Sequence, residues 1–257
     1  MTGILEAVLR ARLAGGGRCF VPYVTGGFPG VDADLLRALQ DAGADAIEVG
    51  IPFSDPVMDG GVIQQASAAS LEAGTRPSDV LDTIAKAALD VPAAVMTYVN
   101  PVYRRGYDSM LDEASRAGVS AFIVPDLPFD EAGDWIAACR AREVATVFLA
   151  APGESAARRV AIADAARGFV YCVSTFGVTG ARDRLAGTAL ELVGSLRGVT
   201  DLPLLVGVGI GTPEQASEAC GFADGVVVGS ALMARLVEGD PEGAVELARQ
   251  FRAAIPA

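Results

Sequence analysis

The chain repeats one pattern of polar and apolar positions from end to end. A segment with helical periodicity is followed by a break, often at glycine, and then by a short apolar run, as in residues 41–50 and 116–125. Before the first of these, Leu35, Leu36 and Leu39 share one helical face. The apolar runs are short and rich in β-branched residues, which is typical of parallel strands buried on both faces. The pattern therefore predicts alternating helices and strands.

Eight such runs predict eight strands. We place them at 19–24, 44–50, 93–99, 119–124, 143–149, 168–174, 203–207 and 223–228. A short amphipathic helix precedes the first strand, and helical stretches at 62–73 and 77–89 lengthen the connection between the second and third strands. Eight βα units in about 250 residues match a closed barrel. We predict an α/β fold, a (β/α)8 TIM barrel, in which residues 1–257 form a single domain with a short N-terminal helix.

An open, doubly wound sheet is the alternative architecture. Its usual mark is a glycine-rich turn after the first strand that leads into a phosphate-cradling helix. The turn at 26–30 is rich in glycine, but Pro29 stands where that helix should begin. This departure favours the barrel.

Composition restricts the chemistry that the chain can perform. Among 257 residues there is no histidine and a single lysine, Lys86, in a helical stretch away from any strand end. Histidine triads, imidazole bases and histidine-ligated metals are excluded, so we expect carboxylates to carry catalysis and expect no metal or cofactor. A formal charge of −12 argues against a nucleic-acid partner or an anionic membrane surface. Four widely spaced cysteines, without a signal peptide or long apolar run, predict a cytoplasmic protein.

Two acidic side chains accompany the second strand. If side chains alternate, Ile47 and Val49 face the surrounding helices and Glu48 points into the barrel. Glu48 lies near the carboxyl end of its strand, where such barrels hold their active sites. Asp59 follows on the next loop, where either catalysis or capping of the following helix explains it. A buried carboxylate needs a partner or a chemical role, which makes Glu48 the first catalytic candidate.

Further candidates lie at the ends of other strands. Asp126 follows the fourth strand between two prolines, so a turn-stabilising role and a chemical role both remain open. Tyr23, Tyr98 and Tyr171 fall in strands 1, 3 and 6 as core residues or as the lining of an aromatic pocket. Glycines cluster after the last three strands, at Gly177–Gly180, Gly207–Gly211 and Gly229–Ser230. Backbone N–H groups at such strand ends commonly bind phosphate, whereas glycines that only form turns are the simpler explanation.

Several ordered motifs make the chain resemble the α subunit of tryptophan synthase. They are Phe20-Val-Pro-Tyr-Val-Thr25, Glu48-Val-Gly-Ile-Pro-Phe-Ser-Asp-Pro56, Asp59-Gly60 with Ile63-Gln64, Tyr98-Val-Asn-Pro101 and Gly177-Val-Thr-Gly-Ala-Arg182. The resemblance spans nearly the whole chain. It implies retro-aldol cleavage of indole-3-glycerol phosphate to indole and D-glyceraldehyde 3-phosphate in L-tryptophan biosynthesis. It also implies a partner, the β subunit, in an α-β-β-α heterotetramer.

The resemblance also implies roles for individual residues. Glu48 matches the general acid/base and Asp59 the second catalytic carboxylate. The substrate-binding positions are Tyr23, Tyr98, Tyr171 and Thr179, and the phosphate-binding positions are Gly180, Gly209, Gly229 and Ser230. Indole can accept the electrons of the broken bond once its C3 atom is protonated, so neither a lysine imine nor a metal is needed. We expect apolar walls to raise the pKa of Glu48.

Three positions depart from the family's usual residues. Gly61 replaces a common proline, Gly153 a frequent hydroxyl residue, and Val208 a frequent phenylalanine. The competing functions are a stand-alone lyase that releases indole without a β subunit, a phosphosugar isomerase on the same barrel, and a regulatory barrel that binds a phosphorylated ligand. Glu48 and Asp59, both retained, argue against the regulatory barrel.

Overall fold

Eight parallel strands pair in chain order and close into a barrel, because the eighth strand pairs with the first. The computed structural model describes residues 3–173, 182–207 and 209–257. The strands are β1 (Cys19–Thr25), β2 (Ile47–Gly50), β3 (Ala93–Met96), β4 (Val119–Ile123), β5 (Ala145–Ala150), β6 (Val170–Val173), β7 (Leu204–Gly207) and β8 (Gly225–Val228). The closed barrel confirms the predicted (β/α)8 fold and is incompatible with the open sheet.

Helices surround the barrel. They are α1 (Ile4–Ala14), α2 (Ala33–Asp41), α3 (Gly61–Glu72), α4 (Pro77–Ala87), α5 (Val99–Arg105), α6 (Tyr107–Arg116), α7 (Gly133–Ala141), α8 (Ala156–Ala165), α9 (Arg182–Arg197), α10 (Pro213–Cys220), α11 (Ser230–Val237) and α12 (Pro241–Ala254). The two extra helices predicted between β2 and β3 are α3 and α4, and Lys86 is exposed on α4. Within the described parts of the chain, no helix is long and apolar enough to span a membrane.

The strand bounds shift by one or two residues at several strands, and they differ most from the prediction at β2 and β3. The second strand begins at Ile47 instead of residue 44, and the third ends at Met96 instead of residue 99. Tyr98 is therefore not a strand residue: it is the N-cap of α5, whose first residue is Val99. The apolar, β-branched run through Val99 looked like strand, but the carboxylate of Asp126 accepts a hydrogen bond from the Val99 N–H at 2.8 Å and stabilises a helix start there.

Side chains of alternate strand residues fill the barrel. At the amino ends of the strands, buried apolar residues and paired charges close the interior: Asp45 lies 3.2 Å from Arg252, and Asp224 lies 2.7 Å from Arg197. At the carboxyl ends the interior opens into a cavity. The barrel therefore has one closed end and one end available for a ligand, as in other barrels of this class.

Candidate active site

The cavity above the carboxyl ends of the strands has a volume of about 290 Å³. Its walls come from almost every strand and from the loops after β2, β4, β7 and β8. The described residues that line it are Tyr23, Glu48, Val57, Met58, Asp59, Gly60, Ile63, Met96, Ile123, Pro125, Leu149, Tyr171, Val173, Gly209, Ile210, Val227, Gly229 and Ser230. Most of these side chains are apolar, so the cavity suits a ligand with a sizeable apolar body.

Glu48 lies at the floor of this cavity. It pairs with Tyr23 of β1 and Ala94 of β3 in the sheet register, and its side chain is 1% exposed. Its Oε2 atom is buried and has no hydrogen-bond partner among the described residues. Burial and, to a smaller extent, the charge of Asp59 raise the pKa of Glu48 to about 8. A carboxyl group of this kind carries its proton near neutral pH and can exchange it with a ligand.

Asp59 lies on the loop that runs from β2 to α3. The N-cap of α3 is Gly60, and no side chain caps this helix, so the Asp59 carboxylate is not used as its cap. Burial raises the pKa of Asp59 to about 6, and the Tyr98 hydroxyl group, acting as a hydrogen-bond donor, opposes that rise. Asp59 is therefore more acidic than Glu48. The two carboxyl groups can hold one proton between them at neutral pH, with the proton on Glu48.

Tyr23 and Tyr171 lie on the same cavity wall as the carboxyl groups and are similarly arranged. A Cβ atom added at Gly50 would lie 2.2 Å from the Tyr23 hydroxyl oxygen, and one added at Gly207 would lie 2.3 Å from that of Tyr171. Each ring thus packs over a glycine of the next strand, where a larger residue would displace it. Burial raises the pKa of both tyrosines well above its usual value, so both hydroxyl groups remain protonated.

Tyr98 approaches the site from a different direction. Its hydroxyl oxygen accepts a hydrogen bond from the Met58 N–H at 3.1 Å, and its ring stacks on Phe53 with centroids 5.1 Å apart. Tyr98 does not line the cavity wall. It contacts the loop that carries Asp59 from behind, whereas Tyr23 and Tyr171 face the ligand space directly.

The wall of the cavity also holds groups suited to an anion, at the start of α11. Gly229 is the N-cap of α11 and Ser230 its first residue, and among the described residues no side chain caps this helix. By contrast, α10 after the neighbouring strand has a complete capping box, in which Thr212 and Gln215 satisfy each other's backbone N–H groups. Uncapped N–H groups at a helix start carry partial positive charge and bind phosphate readily. Gly209 also lines the cavity.

The predicted cluster Gly177–Gly180, which includes Thr179 and Gly180, lies outside the described residues, and so does Val208. Of the other departures from the family pattern, Gly61 begins α3, and Gly153 has a φ of +90°, a conformation that favours glycine. Asp126 does not line the main cavity; it lines a neighbouring one of about 270 Å³.

Sequence reasoning missed most of the apolar wall. Met96, Ile123 and Leu149 are the inward-facing residues near the carboxyl ends of β3, β4 and β5, and they line the cavity between the two carboxyl groups and Pro125. The alternation that oriented Glu48 would also have identified these three residues. The sequence could not identify Met58 and Ile63 as lining residues in this way, because side chains do not alternate in a loop or at the start of a helix.

The arrangement combines a proton donor, a carboxylate and an anion site around apolar walls. No arginine or lysine among the described residues lines the cavity, so the carboxyl groups are not neutralised by a cation there. Such a site can protonate an apolar ring at Glu48, stabilise positive charge on it at Asp59, and hold a phosphate at the start of α11.

Comparisons with known proteins agree with this geometry. Residues 10–254 match the family described as "Tryptophan synthase alpha chain". A tryptophan synthase alpha chain of Streptomyces avermitilis is 42% identical over 245 residues, covering 94% of this chain and 88% of its own. One of Microcystis aeruginosa is 41% identical over 256 residues, covering 98% and 97%.

Solved structures give the same result. Mycobacterium tuberculosis tryptophan synthase superposes with a TM-score of 0.92 at 38% identity and covers all of both chains. The tryptophan synthase alpha subunit of Legionella pneumophila gives 0.90 at 31% identity and covers 99% of this chain and 98% of its own. The chain therefore belongs to the tryptophan synthase alpha chain family and is an enzyme of tryptophan biosynthesis.

Proposed function

We propose that the protein is a carbon–carbon lyase that cleaves indole-3-glycerol phosphate to indole and D-glyceraldehyde 3-phosphate. The observation that carries this proposal is the pair of unneutralised carboxyl groups, Glu48 and Asp59, in an apolar cavity that also contains the start of α11. The cavity has apolar walls for a bicyclic ring and a separate place for a phosphate. Family membership supports the same reaction.

In the proposed mechanism Glu48 acts first as an acid. It donates its proton to C3 of the indole ring, and positive charge develops at the ring nitrogen, where Asp59 stabilises it. Glu48, now a carboxylate, removes the proton of the glycerol hydroxyl next to C3. The bond between C3 and the glycerol carbon breaks, its electrons return to the ring, and an aldehyde forms. Protons and electrons balance without a metal or cofactor.

The other predicted residues have supporting roles in this proposal. Gly209, Gly229 and Ser230 bind the phosphate through N–H groups and a hydroxyl, together with Gly180. Tyr23, Tyr171 and Thr179 contact the substrate, and Tyr98 contacts Asp59. We include in the proposal that residues 1–257 fold as a single domain and that the enzyme works in the cytoplasm, where four free cysteines, all buried, are the usual state.

A β subunit is the partner in this proposal. Val57 is 76% exposed and Met58 50%, and both lie on the loop that carries Asp59. These two apolar side chains line the cavity at the carboxyl end of the barrel, where a protein partner would cover them and enclose the product. The stand-alone lyase is not favoured, since the relatives are named as alpha chains.

Indole formation from indole-3-glycerol phosphate tests the proposal. We expect the chain alone to release indole slowly and to accelerate when a tryptophan synthase β subunit is added. Absence of indole under both conditions would overturn the proposed reaction and favour the isomerase or the regulatory barrel. An undiminished rate without the β subunit, unchanged when it is added, would instead support the stand-alone lyase.

A further inference from the structure

Asp126 makes a contact that no role assigned above explains. It follows β4, is half-buried, and its Oδ1 atom accepts a hydrogen bond from the Val99 N–H at 2.8 Å, across 27 residues of sequence. Val99 is the first residue of α5, and the N-cap residue Tyr98 supplies no side-chain cap. A carboxylate from the β4 loop therefore caps a helix that begins at the end of β3. This contact holds the backbone at Tyr98 in place.

Tyr98 extends this connection to a third loop. Its hydroxyl oxygen accepts the Met58 N–H at 3.1 Å, and its ring stacks on Phe53 of the same loop. Asp59 follows Met58 directly, and the Tyr98 hydroxyl also interacts with the Asp59 carboxylate. Tyr98, in the segment that follows β3, thus contacts the loop that carries a proposed catalytic group.

The other described hydrogen bonds of residues 54–60 stay within the loop and α3. The Asp59 N–H donates to the Pro56 carbonyl at 3.0 Å, and the Gln64 side chain of α3 donates to the Asp59 carbonyl at 2.8 Å. These bonds shape this part of the loop but do not join it to the segments that follow the neighbouring strands. The bond between Met58 and Tyr98 joins it to the segment after β3, and the bond between Asp126 and Val99 joins that segment to the loop after β4.

We propose that Asp126 is a positioning residue for the lyase reaction, which acts through Val99 and Tyr98 to hold Asp59 in its reactive place. This inference rests on the proposed function, because it gives Asp59 a role in catalysis. Asp126 does not touch the ligand space itself, since it lines the neighbouring cavity and not the main one. Its effect therefore falls on the chemical step more than on substrate binding.

The test compares Asp126→Ala, Asp126→Asn and the wild type in the full chain, with and without a β subunit, by steady-state indole formation. We expect Asp126→Ala to lower kcat about tenfold, because a small displacement of a reacting group is costly, and to change KM by less than about twofold. Asp126→Asn keeps an oxygen acceptor for the Val99 N–H, so it should restore kcat to within about threefold of the wild type.

Asp32→Ala is the matched control. Asp32 caps α2 by the same kind of bond, from its Oδ1 atom to the Leu35 N–H at 2.9 Å, but it lies outside the cavity wall and the loops that carry Asp59 and Tyr98. Both alanine variants should lower the melting temperature to a similar extent. Only Asp126→Ala should lower kcat at a temperature where both proteins are folded.

A double-mutant cycle with Tyr98→Phe tests whether Asp126 acts on Asp59 through Tyr98. Because this change removes the hydroxyl that joins the loops, adding Asp126→Ala to it should lower kcat by less than about twofold further. A full tenfold loss in the Tyr98→Phe background, or a loss that Asp126→Asn does not restore, would overturn the positioning role. So would an unchanged kcat in Asp126→Ala. These outcomes need an active wild type, whereas a wild type that forms no indole with the β subunit overturns the proposed function itself.

Discussion

Asp45 and Glu48 lie three residues apart at the second strand, yet their surroundings are opposite in character. Asp45 precedes the strand and accepts a hydrogen bond from the Phe20 N–H at 2.8 Å; Arg252 lies 3.2 Å away and Arg12 3.7 Å away. Glu48 is more deeply buried, and among the described residues the only charged group that acts on it is another acid, Asp59. One carboxylate is fully paired, and the other is left with an unpartnered oxygen.

The difference follows the two ends of the barrel. At the amino end, the Arg252 side chain also donates to the carbonyls of Arg18, Ile255 and Pro256, so Asp45 and Arg252 together join β1, β2 and the C-terminal segment. At the carboxyl end, a cation beside Glu48 would lower its pKa and abolish its use as an acid. Paired acids therefore stabilise the closed end, while unpaired acids at the open end are available for chemistry.

The largest expected effect comes from neutralising the unpaired acid. Glu48→Gln should lower kcat/KM for indole formation about 1000-fold, since the amide cannot donate or accept the proton. Its melting temperature at pH 8 should equal or exceed that of the wild type, because a costly buried charge has been removed. Indole assays and thermal unfolding check both statements; wild-type cleavage by this variant would remove Glu48 from the mechanism.

The paired acid should behave in the reverse manner. Asp45→Ala should lower the free energy of unfolding by about 3 kcal/mol, because it leaves the largely buried Arg252 guanidinium without its negatively charged partner and the Phe20 N–H without its acceptor. Activity of the folded protein should stay within about twofold of the wild type. Urea unfolding and indole assays at low temperature measure these effects, and Asp45→Asn, which keeps an oxygen acceptor, should lose less stability.

The pH dependence of stability should also separate the two acids. The pKa of Glu48 is about 8 in the folded protein and near its ordinary 4.5 in the unfolded chain, so the unfolded chain releases this proton first as the pH rises. The folded state should therefore lose about 3.5 kcal/mol of stability relative to Glu48→Gln between pH 5 and pH 8. Urea unfolding of both proteins across this range measures the difference, and parallel curves would contradict the raised pKa.

The alkaline limb of kcat/KM should report the same group. If protonated Glu48 begins the reaction, kcat/KM should fall above about pH 8. The acid limb is less diagnostic, because the substrate phosphate and Asp59, with a pKa of about 6, both titrate there. An alkaline limb well above pH 9 would assign the proton to another group.

The smallest effect concerns the second paired acid at the closed end. Asp224 accepts the Leu204 N–H at 2.8 Å, and its ion pair with Arg197 is 2.7 Å long, but the arginine side chain is 45% exposed. Asp224→Asn keeps an acceptor and loses only a solvent-screened ion pair, so we expect a loss of about 1 kcal/mol. A loss as large as that for Asp45→Ala would show that the burial of the arginine does not determine how much each ion pair contributes to the free energy of unfolding.

Local pattern predicted much of this molecule. Eight apolar runs identified the strands, and the alternation around Glu48 predicted that its side chain points into the barrel. The same rule could not find the start of α5, because Val99 is β-branched and follows an apolar run. Its helical state depends on Asp126, 27 residues away. The sequence left two explanations for Asp59, catalysis and capping of α3. The structure rejects capping, because the N-cap of α3 is Gly60.

Pairing of charges was also beyond the reach of local pattern. Nothing near Asp45 in the sequence indicates that Arg252, 207 residues away, is its partner. In the same way, the helix starts after β7 and β8 are both rich in glycine, yet α10 caps itself through Thr212 and Gln215, whereas α11 is left open to the cavity. The sequence near α10 is enough to predict its capping box, but the sequence near α11 does not show that this helix begins at the cavity.

The sequence by itself determined the order of strands and helices, the side of β2 on which Glu48 lies, and the absence of histidine and near-absence of lysine that leave catalysis to acids. These properties depend on neighbours within a few residues or on composition. Tertiary structure alone decided which acid is paired, which helix start faces the cavity and which loop holds Asp59, because closing the barrel brings distant segments together. Burial among those segments then sets each carboxyl group's pKa, since the cost of a charge depends on everything that surrounds it.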